Sequence, residues 1–281
     1  MNYSNPLPPE GINTSKDISP LAEAAVLSVS LVLILACVLG LIHVTVSHVT
    51  KFISLSQENQ LFRQIPFMDE STQNTQSKKV ESYLQTLVND LAQQQQIPKE
   101  ATITVHYSDS AIINAGATLG GHIIVFRGLL ERIPDENTLA MVLGHEVSHV
   151  LQRHPIQSLS QGLTLVVLTT ALSTYLSDGL ANQLFSTTNL IGMMAFSREK
   201  EHQADLDAVR SLAQYYGHIG GSTELFDILQ KVSPDQSSDF FQTHPLNQSR
   251  QHDIAQLAIE KAWRMDGTRT PLPQYILDLK K

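Results

Sequence analysis

The sequence predicts a mainly α chain of the α+β class: a helical domain with a small β-sheet, preceded by one N-terminal transmembrane helix. Three observations predict it. Residues 24–42 (AAVLSVSLVLILACVLGLI) carry no charge and no polar face. Residues 101–107 alternate and are β-branched, and 122–126 form a second short apolar run, so both read as strands. Apolar residues recur at helical spacing over 80–94, and further helices are read over 136–153, 198–215, 222–231 and 249–264.

Composition narrows the class further. Hydrophobic residues make up 42% of the chain and charged residues 16%. About 25% charge is usual in a soluble domain, so a membrane segment is expected. The formal net charge is −8, and no basic run interrupts it. Nucleic acid is therefore excluded as an expected partner, because phosphate binding needs clustered Lys and Arg. The single cysteine, Cys37, permits no intrachain disulfide and no cysteine-based zinc site.

Taken in order, residues 1–20 are rich in Pro, Ser and Asn and read as a flexible tail. Residues 21–48 hold the anchor. About 20 apolar residues span the hydrocarbon core as a helix. A buried core helix would show a polar face, and a signal peptide would show a basic leader and a small-residue cleavage site; neither is present. The lipid bilayer is thus an expected partner. Residues 49–77, rich in Gln, Ser and Asn, read as a juxtamembrane linker. A domain follows over 78–265, and 266–281 is a C-terminal tail. Within the domain, 111–121 is a glycine-punctuated strand or turn, and Arg127 opens a short helix stopped by Pro134. The helix over 136–153 is ended by Pro155. The second apolar run, 163–176, is short for a span and holds several Thr and Ser. It reads as a buried helix, with a membrane-dipping hairpin as the alternative.

The chemistry concentrates in His145-Glu146-Val147-Ser148-His149. Positions i and i+4 share one helix face, so two imidazoles there can hold one zinc ion per chain. Glu146 is offset from His145 by about 100°. It can act as a general base on a water activated by the metal without ligating the metal itself. The motif ends an apolar helical run, so its polar groups enter a buried face and need partners. Gly144 eases close approach beside His145.

A catalytic zinc takes a third protein ligand and keeps an open position. Glu201 and Asp205 are again i and i+4. One can ligate while the other accepts the N–H of a ligating His. Glu199 has Gln203, not Asp, at i+4, and His202 points to another face.

The succession HEVSH, SREKEHQAD and Thr243-His244-Pro245 resembles the gluzincin metalloendopeptidases related to HtpX, BepA, the Oma-type proteases and the CAAX prenyl proteases. Residues 114–123 resemble that family's N-A-F-A-x-P-G-G strand, departing from it at Gly116 and Leu119. The resemblance covers roughly residues 78–260, and the single anchor is similar to the BepA and Oma-type branch. It implies a zincin-like domain with His145, His149 and Glu201 on zinc, Glu146 as catalytic base and Asp205 supporting a ligand. It also implies a bacterial inner membrane, with the domain in the periplasm.

On this reading the chain hydrolyses peptide bonds in membrane-proximal, damaged or misfolded polypeptides. His244 is the candidate for stabilising the developing oxyanion. Its alternatives are a surface-loop histidine and a fourth zinc ligand that holds the enzyme latent. The polypeptide is expected to lie extended along strand 121–126, pairing with its edge, with Asn114, Gly121 and Ile123 among its contacts. His154 is placed to cap the motif helix, and His106, His122, His218 and His252 are structural or exposed. The competing class is a latent or non-proteolytic, zinc-stabilised membrane chaperone or adaptor. A weaker third is an intramembrane protease, which requires 163–176 to lie in lipid.

Overall fold

The computed structural model describes residues 19–50, 52–62, 74–158, 196–232, 240, 243–244 and 249–280. The expectations for residues 1–18, for 163–176, and for most of the loop before His244 lie outside the described residues.

Helix α1 (Pro20–Val49) carries the uncharged run. Within its stretch Pro20–Thr45 an 18-residue window reaches a mean hydropathy of 2.9, and none of that window is buried in the protein. At 1.5 Å per residue these 26 residues exceed the roughly 30 Å of a hydrocarbon core. The helix is apolar on every side, as a segment solvated by lipid would be.

The expected linker is partly structured. Helix α2 (Leu55–Phe62) starts at a reciprocal cap: Ser54 N–H donates to Gln57 Oε1 at 2.8 Å and Gln57 N–H donates to Ser54 Oγ at 3.2 Å. Asn59 then acts as a bridge. Its amide nitrogen donates to the Thr102 and Gly120 carbonyls, and its Oδ1 accepts from Thr102 N–H. The helix is thereby fixed to the domain. Nothing local in a Gln-rich, Ser-rich stretch reveals that, because the partners lie more than forty residues away.

Helix α3 (Thr75–Gln94) begins earlier than its apolar spacing, because Asn74 caps it by accepting from Ser77 N–H at 2.8 Å. It buries Val80, Leu84, Leu87, Val88 and Leu91 on one stripe. The sheet contains β1 (Thr104–Ser108), β2 (Ala115–Thr118) and β3 (His122–Phe126), in the order β1-β3-β2. β1 runs parallel to β3, and β2 antiparallel to it. β2 and β3 are joined by the turn Leu119–Gly121, in which Gly120 and Gly121 have φ of 75° and 74°. A side chain at Gly121 would also come within 2.6 Å of the Thr102 carbonyl oxygen. Only glycine fits both demands.

This topology corrects one expectation. β3 is the central strand, paired on both sides, so it offers no edge to a peptide. Ile123 is fully buried in it and Gly121 is buried in the turn.

Short α4 (Arg127–Leu130) leads to α5 (Glu136–Leu151), which carries the histidine motif. Then come α6 (Arg198–Tyr216), α7 (Glu224–Val232), α8 (Ser249–Lys261) and the short α9 (Gln274–Leu277). α5 and α6 pack closely, and Gly144 faces Ala208, whose Cα lies 3.4 Å from where a Cβ would stand. One apolar core joins α3, the sheet, α5, α6 and α8. The expected C-terminal tail belongs to it: Leu272 and Ile276 are buried, and Thr270 exchanges hydrogen bonds with Glu136 and Asn137 at the start of α5.

Candidate active site

Helix α5 is held rigidly at its start. Asp135 caps it, accepting from Thr138 N–H at 2.8 Å. The Glu136 carboxylate accepts from Tyr83 Oη at 2.7 Å and Tyr216 Oη at 2.9 Å. Every residue from Asn137 to Val150 is buried, so the polar side chains of the motif find partners inside the protein. His145 and His149 aim their Nε2 atoms at a common point, 3.0 Å apart.

Helix α6 supplies a carboxylate to the same point. Glu201 Oε1 lies 3.3 Å from His149 Nε2, and Oε2 lies 3.5 Å from His145 Nε2. His244 arrives from the far end of the chain. Its Nδ1 is 3.3 Å from His145 Nε2 and 3.2 Å from Glu201 Oε1. One ligand atom from each of the four residues fits within 4.8 Å, and all four are buried.

The donor set and its spacing fit zinc. Nitrogen and carboxylate oxygen are its ordinary ligands, and donors about 2.0–2.1 Å from a tetrahedral ion stand about 3.3 Å from one another. Five contacts here fall between 3.0 and 3.5 Å. The charge count agrees. Glu146, Glu201 and Asp205 are buried carboxylates beside one buried cation, Arg250, so two formal negative charges await a divalent ion.

Titration directions follow from the crowding of these buried groups. Burial opposes a charged His145, yet Asp205 and Glu201 outweigh it and raise the ring to about 10. Burial, with His145 and His244 beside it, holds His149 well below its ordinary value despite Glu201. Burial would raise Glu201, but His244, His145 and His149 hold it well below the usual carboxylate range.

Around this group stands a supporting layer. His145 Nδ1 lies 3.0 Å from Asp205 Oδ1. Arg250 from α8 donates to both oxygens of Asp205 and reaches Glu201 Oε2 at 3.0 Å. His149 Nδ1 lies 2.7 Å from His154 Nδ1, and the Phe196 ring stacks on His149 with centroids 4.0 Å apart. Glu146 accepts the Ala117 N–H at 2.7 Å, which ties it to β2. Its other oxygen, Oε1, and His244 Nε2 are 3.4 Å apart, and neither has a hydrogen-bond partner among the described residues.

The structure thus brings His145, Glu146, His149, Glu201, Asp205 and His244 together. Asn114 borders them through Thr243, whose hydroxyl is 3.4 Å from Asn114 Oδ1. Gly121 and Ile123 belong to the turn and the centre of the sheet. His202 pairs instead with Asp253 at 3.1 Å. His154 does not cap α5, where Gln152 takes that position; it faces His149. Arg250 and Ala117 have no local sequence signal, since one comes from a distant helix and the other acts through its backbone.

A helix-borne pair of histidines joined by a carboxylate from a second helix, with a glutamate beside the first histidine, defines a metallopeptidase-type centre. The chain belongs to Peptidase family M48, whose profile matches residues 78–258. It is 30% identical over 145 residues to the mitochondrial metalloendopeptidase OMA1 of Arabidopsis thaliana, which covers 52% of this chain and 29% of that protein. It is 28% identical over 149 residues to the metalloprotease YcaL of Escherichia coli (strain K12), covering 50% and 57%. It is 32% identical over 158 residues to the beta-barrel assembly-enhancing protease of Yersinia pestis, covering 50% and 31%. The matches therefore span between 29% and 57% of these relatives' lengths.

Proposed function

We propose that this chain is a zinc-dependent metalloendopeptidase acting on membrane-proximal polypeptides, damaged or misfolded ones among them. His145, His149 and Glu201 are its ligands and Glu146 is its general base. The observation that carries the reading is the convergence of three helix-borne donors at 3.0–3.5 Å with a buried, half-partnered carboxylate alongside. When bound, the ion supplies Lewis-acid chemistry, acidifying water and polarising a carbonyl.

The chain's own residues do the rest. Glu146 takes a proton on the free Oε1 and returns it to the leaving amine, while the Ala117 N–H holds Oε2 in place. Asp205, itself clamped by Arg250, accepts from His145 Nδ1–H and sets that ring's tautomer. His244 Nε2, unpartnered beside Glu146, is the donor for the developing oxyanion. The substrate main chain lies along the outer edge of β2. Asn114 O accepts from Phe126 N–H at 3.2 Å, so strand alternation turns the Ala115 N–H and carbonyl and the Ala117 carbonyl away from β3, the Ala117 N–H being already given to Glu146.

A second reading is favoured by the same histidine. His244 Nδ1 supplies a fourth donor, and the centre is closed: His149 is 0% and Glu201 and His244 are 1% exposed. In that state the enzyme is latent, or the chain is a zinc-stabilised chaperone or adaptor. Casein digestion by the full chain, with and without a chelator, separates these. Glu146→Gln should abolish cleavage while zinc content stays at one per chain; full activity in that variant would defeat the peptidase reading. His244→Ala raises activity if the residue is a latch and lowers it if it is the oxyanion donor. The reading also places α1 in a bacterial inner membrane with the domain on the periplasmic side, which a C-terminal reporter fusion tests.

A further inference from the structure

The two histidines of α5 are supported unequally. His145 gives its outer nitrogen to a carboxylate, Asp205. His149 gives its outer nitrogen to a neutral ring: the two Nδ1 atoms of His149 and His154 stand 2.7 Å apart, with both side chains buried. A histidine that presents the Nε2 lone pair to a cation carries its proton on Nδ1. His149 must then donate, His154 Nδ1 must accept, and the His154 proton must sit on Nε2.

His154 reaches this place through an unusual turn. α5 ends at Leu151, and Arg153 adopts a left-handed backbone with φ of 63°. That conformation costs a non-glycine residue about 1–2 kcal/mol. The Arg153 side chain offsets the cost by strapping the turn to the connector after α1. Its Nε donates to Glu58 Oε2 at 2.8 Å and its Nη1 donates to the Ile53 carbonyl. Glu58 is itself buried and accepts the Gly120 N–H at 2.9 Å.

We propose that His154 is a positioning residue of the metal centre, accepting the His149 Nδ1–H so that Nε2 faces the ion, and that the Arg153 turn clamped to α2 holds it there. The assignment rests on the metal reading above. A neutral acceptor orients the ring without adding negative charge to a centre already surrounded by carboxylates, which distinguishes the His149 side from the His145 side.

The test uses the full chain in detergent, with zinc affinity measured by competition against a chromogenic chelator and the visible spectrum recorded after cobalt substitution. His154→Phe keeps a ring beside Phe196 but has no acceptor. It should weaken zinc binding by about 10- to 100-fold, the usual effect of losing an outer partner, and shift the cobalt bands. His154→Asn places an amide oxygen where Nδ1 stood and should keep the wild-type affinity and spectrum. If both variants bind as wild type, or both lose affinity equally, the acceptor role is wrong. If wild type itself takes up no zinc, the metal reading falls and this assignment with it; tight wild-type binding with an unaffected Phe variant sinks this assignment alone.

Discussion

Arg250 grips Asp205 with two hydrogen bonds, from Nε at 2.6 Å and from Nη2 at 2.7 Å, across 45 residues of sequence. Burial would raise the Asp205 carboxyl, and Arg250, then His145, hold it below its ordinary value instead. The pair links α8 to α6 and fixes the acceptor for His145 on α5.

Removing the cation alone should therefore be costly. Arg250→Met leaves buried carboxylates without a counter-charge, and breaking such a pair costs about 3–5 kcal/mol. Denaturant unfolding of the metal-free protein measures it, and a loss below about 1 kcal/mol would place the pair at an exposed-surface value. Replacing both partners, Asp205→Leu with Arg250→Met, should recover much of the stability but not the zinc affinity.

Zinc should stabilise the fold through the same group. A ligand that binds only the folded state adds about 2.7 kcal/mol at a hundredfold excess over its Kd. Calorimetry of chelator-treated protein should show the melting midpoint rising with added zinc. Single Ala replacements of His145, His149 and Glu201 should each remove that rise, and Glu146→Gln should retain it. A rise that survives Glu201→Ala would remove Glu201 from the ligand set.

Two glycines should respond oppositely. A Cβ at Gly128 would stand 2.2 Å from the Ala111 carbonyl oxygen, a backbone atom that cannot swing away. Gly128→Ala should cost about 1–3 kcal/mol, as overpacking does. At Gly144 the nearest atoms, of Ala208, are 3.4 Å from the added carbon. Alanine fits there and gains up to about 1 kcal/mol of helix propensity. Equal unfolding midpoints for the two variants would contradict the packing described.

Stability should also fall in mild acid because of a histidine far from the metal. His122 on β3 is pushed down from 6.5 to about 4, by burial and then by His106, whose Nε2 is 2.8 Å away. The folded state binds fewer protons than the unfolded chain between those values. The contribution of the neutral ring is complete above 6.5 and is lost as pH falls towards 4. Thermal midpoints of His122→Gln should vary less steeply with pH over that window, and an unchanged slope would mean that His122 titrates normally in the folded protein.

Local signals in the sequence determined the apolar N-terminal helix, the helical domain, the strands and the pairing of His145 with His149. Each depends on spacing or capping within a few residues, and a helix face is a local property. The same rule made Glu201 and Asp205 candidates together, and the resemblance assigned the ligand role to Glu201; in the structure Glu201 joins His145, His149 and His244, while Asp205 stands behind His145. Tertiary structure alone decided the central place of β3, the docking of α2 within the supposed linker, and the convergence of Arg250, His154 and Ala117 on the site. These depend on contacts between distant segments, where strand order, burial and charge balance are settled by which surfaces meet. No residue's own neighbours in sequence carry that information.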